Sequence, residues 1–292
     1  MSRPGRETQW AMRKRFPLLT SAALCLAALV SFVIPASSAE AWAPAATAPI
    51  HPGVQTFTAG AQCTANFIFT QGSDTYIGQA AHCSGTGGNT ETDGCTSGSL
   101  PIGTPVDVTG ASHPGTMVYN SWLTMQSLGE TDPDACAYND IALIKLDPAD
   151  AANVNPSVPT YGGPTGVGGA TAAGDRVYSY GNSELRGGVT LLSPKTGISL
   201  GDDGNGWTHA VYTVTPGIPG DSGSGFLNAQ GQAIGVLSTL ALAPLPASNN
   251  VSDLGHILNY MHTHAAAFSG VQLVNGTQPW TPSLIGLVPV AL

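Results

Sequence analysis

Charge is scarce in this 292-residue chain: only 9% of its residues are Asp, Glu, Lys or Arg. Basic residues are scarcest, nine in all, and five of them (Arg3, Arg6, Arg13, Lys14, Arg15) crowd the first fifteen positions. None then occurs before Lys145. Residues 40–292 carry four basic against seventeen acidic side chains. So acidic a surface repels phosphate backbones, and no nucleic-acid partner is expected. There is no C-x-x-C pair, so a Cys/His metal site lacks its usual spacing and none is expected. No internal repeat is present either. Low charge with 37 Gly and 22 Pro would suit a disordered chain, but 42% hydrophobic content argues for a packed core.

Beyond the basic cluster lies an apolar run from Leu18 to Ile34, then Pro35 and the small residues Ala36-Ser37-Ser38-Ala39. Residues 1–39 therefore read as a secretory signal, cut after Ala39 or Ala41. An uncleaved anchor is the alternative, since the run sits at the lower limit of a membrane span. The small-residue exit favours cleavage. The protein is expected to be extracellular, monomeric and without stable membrane association once the signal is gone. Cys25 leaves with that signal, and Cys63, Cys83, Cys95 and Cys136 remain. An even number in an exported chain implies two disulfides, with three pairings open.

Residues 40–53 are Ala/Pro-rich and read as a flexible leader, disordered or lightly docked. Strand text begins near Gln62, with Thr64–Thr70 and Asp74–Gln79 separated by hairpin punctuation. Val106–Val108 and Met117–Tyr119 come next as short strands, and Gly85–Leu100 reads as a surface loop. Ile141–Ile144 is an apolar run suited to a strand buried on both faces. Asp147–Gly174, dense in Pro and Gly, reads as a crossing between two halves. Strands resume at Arg176–Tyr180, Gly188–Leu192, Ala210–Val214 and Ala233–Leu237. One helix is expected, from Ser252 as N-cap to about Phe268, on the stripe Leu254, Ile257, Leu258, Met261. Many short strands make the class all-β, a sandwich or barrel. The apolar end of the tail, Leu284–Val290, is too short and Pro-broken to span a membrane and is expected to cover an apolar patch.

Three stretches carry chemistry. Thr215–Gly225 sets Ser222 among Gly220, Gly223 and Gly225 with Asp221 before it. Glycine lets a substrate approach the backbone closely, and the Gly220 and Ser222 amides can then form an oxyanion hole while the Ser222 hydroxyl attacks. Alone, this is equally a Gly/Ser-rich turn. Upstream stand Gln79-Ala80-Ala81-His82-Cys83 and Tyr138-Asn139-Asp140-Ile141-Ala142-Leu143. Asp140 leads straight into a buried strand, where its charge needs a partner, and the His82 Nδ1–H suits it. Asp132, Asp134 and Asp147 lie in turn-like text and read as solvated. His209 stays unassigned.

His82, Asp140 and Ser222, spaced 58 and 82 residues apart, give the order His, Asp, Ser. With the Ala-Ala-His-Cys, Asp-Ile-Ala-Leu and Gly-Asp-Ser-Gly blocks, the chain resembles the chymotrypsin-like serine peptidases, small secreted bacterial members above all, over residues 54 to 269. The resemblance implies two six-stranded antiparallel β-barrels, residues 54–170 and 171–250, then a C-terminal helix at 251–269 and a tail at 270–292. It implies the catalytic triad His82, Asp140, Ser222, no cofactor, protein or peptide substrates, and the pairing Cys63–Cys83, which leaves Cys95–Cys136. Ser238 matches a serine that supports the aspartate, though an ordinary strand-end serine fits as well. Asp221 matches an aspartate that often pairs with a newly cut N-terminus. The lack of Lys and Arg between Arg15 and Lys145 excludes a trypsin-type cut before the first barrel, so Asp221, if buried, needs another partner, with Arg176 and Arg186 as candidates. Pro216, at the pocket base, offers no charge for a basic substrate side chain, and Leu237 stands where Glu-selective members place histidine. Leu240 in the pocket wall would narrow the site to small or medium apolar side chains, unless the loop from Thr239 to Pro246 turns it elsewhere. A secreted serine endopeptidase is expected; a catalytically silent binding homologue and an esterase with the same triad are the alternatives.

Overall fold

Among the described residues, short alternating stretches punctuated by glycine produce fourteen strands, and the longest helix has eleven residues. The computed structural model describes residues 42–88, 91–241 and 246–283. The signal reading of residues 1–39 and the apolar end 284–290 lie outside these residues. Among the described residues, no helix is long and apolar enough to cross a membrane.

The first half contains β1 (Gln55–Thr58), β2 (Ala61–Thr64), β3 (Ile68–Gln71), β4 (Asp74–Gln79), β5 (Pro105–Val108), β6 (Gly115–Asn120), α1 (Ser121–Leu128), α2 (Pro133–Tyr138) and β7 (Ala142–Lys145). The second contains β8 (Arg176–Tyr180), β9 (Pro194–Asp203), β10 (Thr208–Thr213), β11 (Gly225–Asn228), β12 (Ala233–Ala241), β13 (Ser248–Asp253) and α3 (Leu254–His264); β14 (Gln272–Leu273) follows. β8 to β13 close into a six-stranded barrel in the order β10-β13-β12-β11-β8-β9, as expected.

The first half differs from a closed six-stranded barrel. It is an eight-stranded antiparallel sheet, β14-β3-β4-β7-β6-β5-β1-β2. The expected strand Thr64–Thr70 is broken at Ala65–Phe67, so its two parts lie near opposite edges of the sheet as β2 and β3. Only three residues join them, and this short link makes the sheet curl on itself. β14, from the tail, adds a strand outside β3.

Other departures have local causes. Gly188–Leu192 is no strand: Gly187 and Gly188 take φ of 60° and 79°, and an exposed 3₁₀ turn comes next at Thr190–Leu192. The final helix starts one residue later than expected, because Asp253, not Ser252, caps it by accepting from the His256 amide at 2.7 Å. Neither α1 nor α2 is among the expected elements, although both carry caps, Asn120 on the Trp122 and Leu123 amides and Asp132 ahead of Pro133. The leader is firmly docked: Ile50 is fully buried, and Ala43 and Ile50 donate to Val154 and Asn153.

One apolar cluster (Ile50, Ile68, Ile77, Val106, Met117, Ile144) fills the curled sheet, and another (Val177, Val211, Phe226, Ile234, Leu237, Val251) fills the barrel. The largest cluster joins the halves, with Phe67, Tyr119, Ile141 and Leu143 meeting Tyr178, Leu227, Ile257 and Met261. Burial of these side chains, at roughly 1.5–3 kcal/mol each, fixes the halves against each other. In the tail, Trp280 lies over Tyr178 with ring centroids 5.1 Å apart.

Candidate active site

His82 sits on a 3₁₀ turn (Ala81–Ser84) directly after β4. The Cys63–Cys83 disulfide ties that turn to β2, and Cys95–Cys136 braces the loop before β5 against α2. His82 Nδ1 donates to Asp140 Oδ2 at 2.7 Å, and its amide donates to Asp140 Oδ1 at 2.9 Å. Ser238 Oγ donates to the same Asp140 Oδ2 at 2.6 Å. Asp140 is held just ahead of β7: Ser121 Oγ donates to the Asn139 carbonyl at 2.7 Å and accepts from the Ile141 amide at 3.1 Å. Trp122, from α1, lies beside the imidazole with ring centroids 6.5 Å apart.

These contacts set the protonation states. Burial disfavours the imidazolium, but the Asp140 charge and hydrogen bond outweigh it and leave His82 above its ordinary 6.5. Burial would raise Asp140, yet the His82 charge, with donors from His82 and Ser238, brings it below 3.8.

Ser222 reaches this group through its backbone. Its carbonyl accepts from the Thr64 amide at 2.8 Å, one residue from the disulfide. A Cβ on Gly223 would come within 2.8 Å of the Ala80 nitrogen, two residues before His82, and Gly223 has φ of 88°. Only glycine fits there. The Gly223 amide donates to the Leu237 carbonyl at 2.7 Å, beside Ser238. Thus the turn bearing Ser222 packs against the turns bearing His82 and Ser238.

The peptides around Ser222 are anchored by their carbonyls. Pro219 O accepts from Ser183 Oγ at 2.6 Å, and Asp221 O from the Ser224 amide at 3.0 Å. In a trans peptide the N–H points away from the C=O, so the Gly220 and Ser222 amides are turned from these anchors. Among the described residues neither amide has a protein acceptor.

The expected pocket residues are spread differently. Pro216 is half-buried, Ser238 is bound to Asp140, and Leu240 is 57% exposed. Sequence reasoning missed Asn249. Its buried carboxamide accepts from the Gly217 amide at 2.9 Å and reaches the Thr239 carbonyl at 3.4 Å. Of the two arginines considered for Asp221, Arg186 pairs with it, and Arg176 is exposed. Lys195, also missed, is a second cation on Asp221, at 2.9 Å.

Fold and site geometry together define a class: this is the chymotrypsin-like double-barrel fold. No family model and no curated protein sequence matches the chain. Among solved structures, Thermobifida fusca Protease A is similar at 20% identity and a TM-score of 0.51, over 78% of this chain and 99% of that one. Nocardiopsis Protease is similar at 17% identity, TM-score 0.46, over 77% and 98%. A glutamic acid specific serine protease described as using a histidine triad in substrate binding is 17% identical, TM-score 0.48, over 77% and 100%.

Proposed function

We propose that the chain is a secreted serine endopeptidase working through an acyl-enzyme intermediate. The observation that carries this reading is the Ser238–Asp140–His82 hydrogen-bond chain, ending in an imidazole against which the Ser222 turn packs. With Nδ1 fixed as a donor to Asp140, Nε2 holds the lone pair. His82 then takes the Ser222 proton as Oγ attacks the scissile carbonyl, and returns it to the leaving amine. The Gly220 and Ser222 amides bind the oxyanion, and water attacks the acyl-enzyme by the same steps in reverse. None of these steps calls for a cofactor.

For the substrate pocket, Pro216 brings no charge, and Asn249, crossing from Gly217 to Thr239, takes up space between the two walls. Small or medium apolar side chains such as Ala, Val or Leu suit such a pocket, with the exposed Leu240 at the rim. No trypsin-type activating cut is needed, since Asp221 has internal cations.

The test is to purify residues 40–292 without added protease and treat them with a fluorophosphonate. Phosphonylation of Ser222, located by mass spectrometry, is expected; an unlabelled folded protein would leave the silent binding homologue. Casein cleavage then separates a peptidase from an esterase. In a peptide library, preference for Arg, Lys or Glu at the cleaved position would sink the small-pocket reading.

A further inference from the structure

Lys195 takes no part in the chemistry above, yet its side chain is fully buried. Its three N–H donors all have acceptors: Asp221 Oδ2 at 2.9 Å, the Thr215 carbonyl at 3.1 Å and the Pro216 carbonyl at 3.2 Å. Those acceptors stand at opposite ends of one loop. Thr215 and Pro216 lie where it leaves β10, and Asp221 lies where it reaches Ser222. Between them come Gly217, whose amide is held by Asn249, and Gly220. Room for the amine depends on Gly181: a Cβ there would lie 2.5 Å from Asp221 Oδ1 and 2.7 Å from Lys195 Cε.

Arg186 also binds Asp221 Oδ2, at the Ser222 end of the loop. The remaining donors to Asp221 are the Ile218 and Ser183 amides, each at 3.1 Å. Among the described residues, only the lysine joins the loop's two ends through a single charged group.

We propose that Lys195 is a positioning residue, a buried ammonium that clasps both ends of the 215–221 loop and so sets the Gly220 and Ser222 amides and the pocket floor. Its catalytic consequence rests on the serine-hydrolase reading; the clasp itself does not. A neutral amine has two hydrogens for three acceptors and no charge to set against Asp221, so losing the proton releases one end of the loop.

Burial draws the Lys195 amine down to about 8; Asp221 opposes this and Arg186 adds to it. The charged groups facing it are Asp221 from the loop and Arg186 from the turn at Glu184–Arg186. β8 presents Ser179, and Gly181 follows the strand; neither is titratable. Tyr161, whose hydroxyl donates to the Lys195 carbonyl, stays neutral because burial raises it to about 12. The folded value is below the ordinary 10.5, so between about 8 and 10.5 the unfolded chain holds more protons. This lysine therefore favours folding as pH rises through that window, while the clasp, and activity with it, fails. General alkaline unfolding would lower both together.

The test compares wild type with Lys195→Met from pH 7 to 10, reading hydrogen exchange of peptides over 215–224, corrected for intrinsic rates, and fluorophosphonate labelling. In wild type, loop protection and labelling rate should each fall about tenfold or more through pH 8 to 9, the scale of one lost charge-assisted hydrogen bond. The Met variant should be low and flat in both across the range. Wild-type protection that does not change with pH, or a Met variant with the wild-type alkaline fall, overturns the proposal. Should the Met variant fail to fold, the wild-type exchange profile still decides. If protection responds but wild type never labels, the clasp stands and the hydrolase reading fails.

Discussion

Among the described residues, His82 and His209 both hydrogen-bond to aspartates, and they are built differently. His82 gives one ring nitrogen to Asp140 and keeps 21% of its side chain exposed. His209, inside the second barrel, is fully buried and uses both: Nδ1 lies 2.6 Å from Asp202 Oδ1, and Nε2 lies 3.0 Å from Asp253 Oδ2. Burial disfavours its charge, but the two carboxylates prevail and hold it above the ordinary 6.5. An imidazolium clamped between two acceptors has no lone pair to offer. A histidine–aspartate contact alone is therefore no sign of a base; what matters is the nitrogen left over.

Exchanging the two residues' fates gives the largest expected effect. His82→Ala or Ser222→Ala should each lower peptide turnover by roughly four to six orders of magnitude, with the double variant no worse, because the group acts as a unit. His209→Ala should do the reverse. It leaves two carboxylates around an empty site and should cost about 3–5 kcal/mol of stability, with nearly normal rate per folded molecule. Denaturant unfolding beside active-site titration measures both. Additive losses at His82 and Ser222, or a stable His209 variant without activity, would break the contrast.

A second effect comes from pH. Both histidines have folded values above 6.5, so their stabilisation is complete below pH 6.5 and is lost as pH rises through those values. Asp140 and Asp253 have folded values below 3.8, so theirs is complete above pH 3.8 and is lost as pH falls through those values. Stability from these groups should peak in mild acid. Activity needs neutral His82 and should instead rise as pH climbs through its folded value. Melting temperatures and labelling rates from pH 4 to 8 test this, and His209→Asn should flatten only the first profile. Coincident optima would refute the assignment of roles.

The difference between the histidines also marks what could be read from sequence. His82, Asp140 and Ser222 each lie in a compact local motif, and the expected disulfide pairs and most strands are present. His209 gave no such signal, because Asp202 and Asp253 reach it only through the pairing of β10 with β9 and β13. Lys195 was hidden by β9, where burial does not follow hydropathy: Pro194 to Gly197 and Ser199 are all buried while Ile198 is exposed. Asn249 fills space between walls that come together only when β12 and β13 pair. The docked leader depended on Ile50 finding Val154, a contact across a hundred residues that composition does not encode.

The smallest effect separates the two sites most finely. At each histidine, one aspartate also accepts from a hydroxyl: Ser238 Oγ reaches Asp140 at 2.6 Å, and Thr171 Oγ1 reaches Asp202 at 2.7 Å. Removing either donor deletes one hydrogen bond to a charged group, a loss of about 1.5–3 kcal/mol if nothing replaces it. Ser238→Ala leaves Asp140 with the two His82 donors, so its folded value should move up towards 3.8 and its hold on Nδ1 should slacken. Labelling at neutral pH is then expected to slow by roughly 3- to 10-fold, about 0.7–1.4 kcal/mol, because only part of the lost bond energy falls on the reaction step. Thr171→Val should destabilise the fold on a similar scale and leave the labelling rate unchanged, because His209 has no proton to take. Equal slowing in both variants would mean that the two clusters communicate, and that the second barrel's histidine is more than a brace.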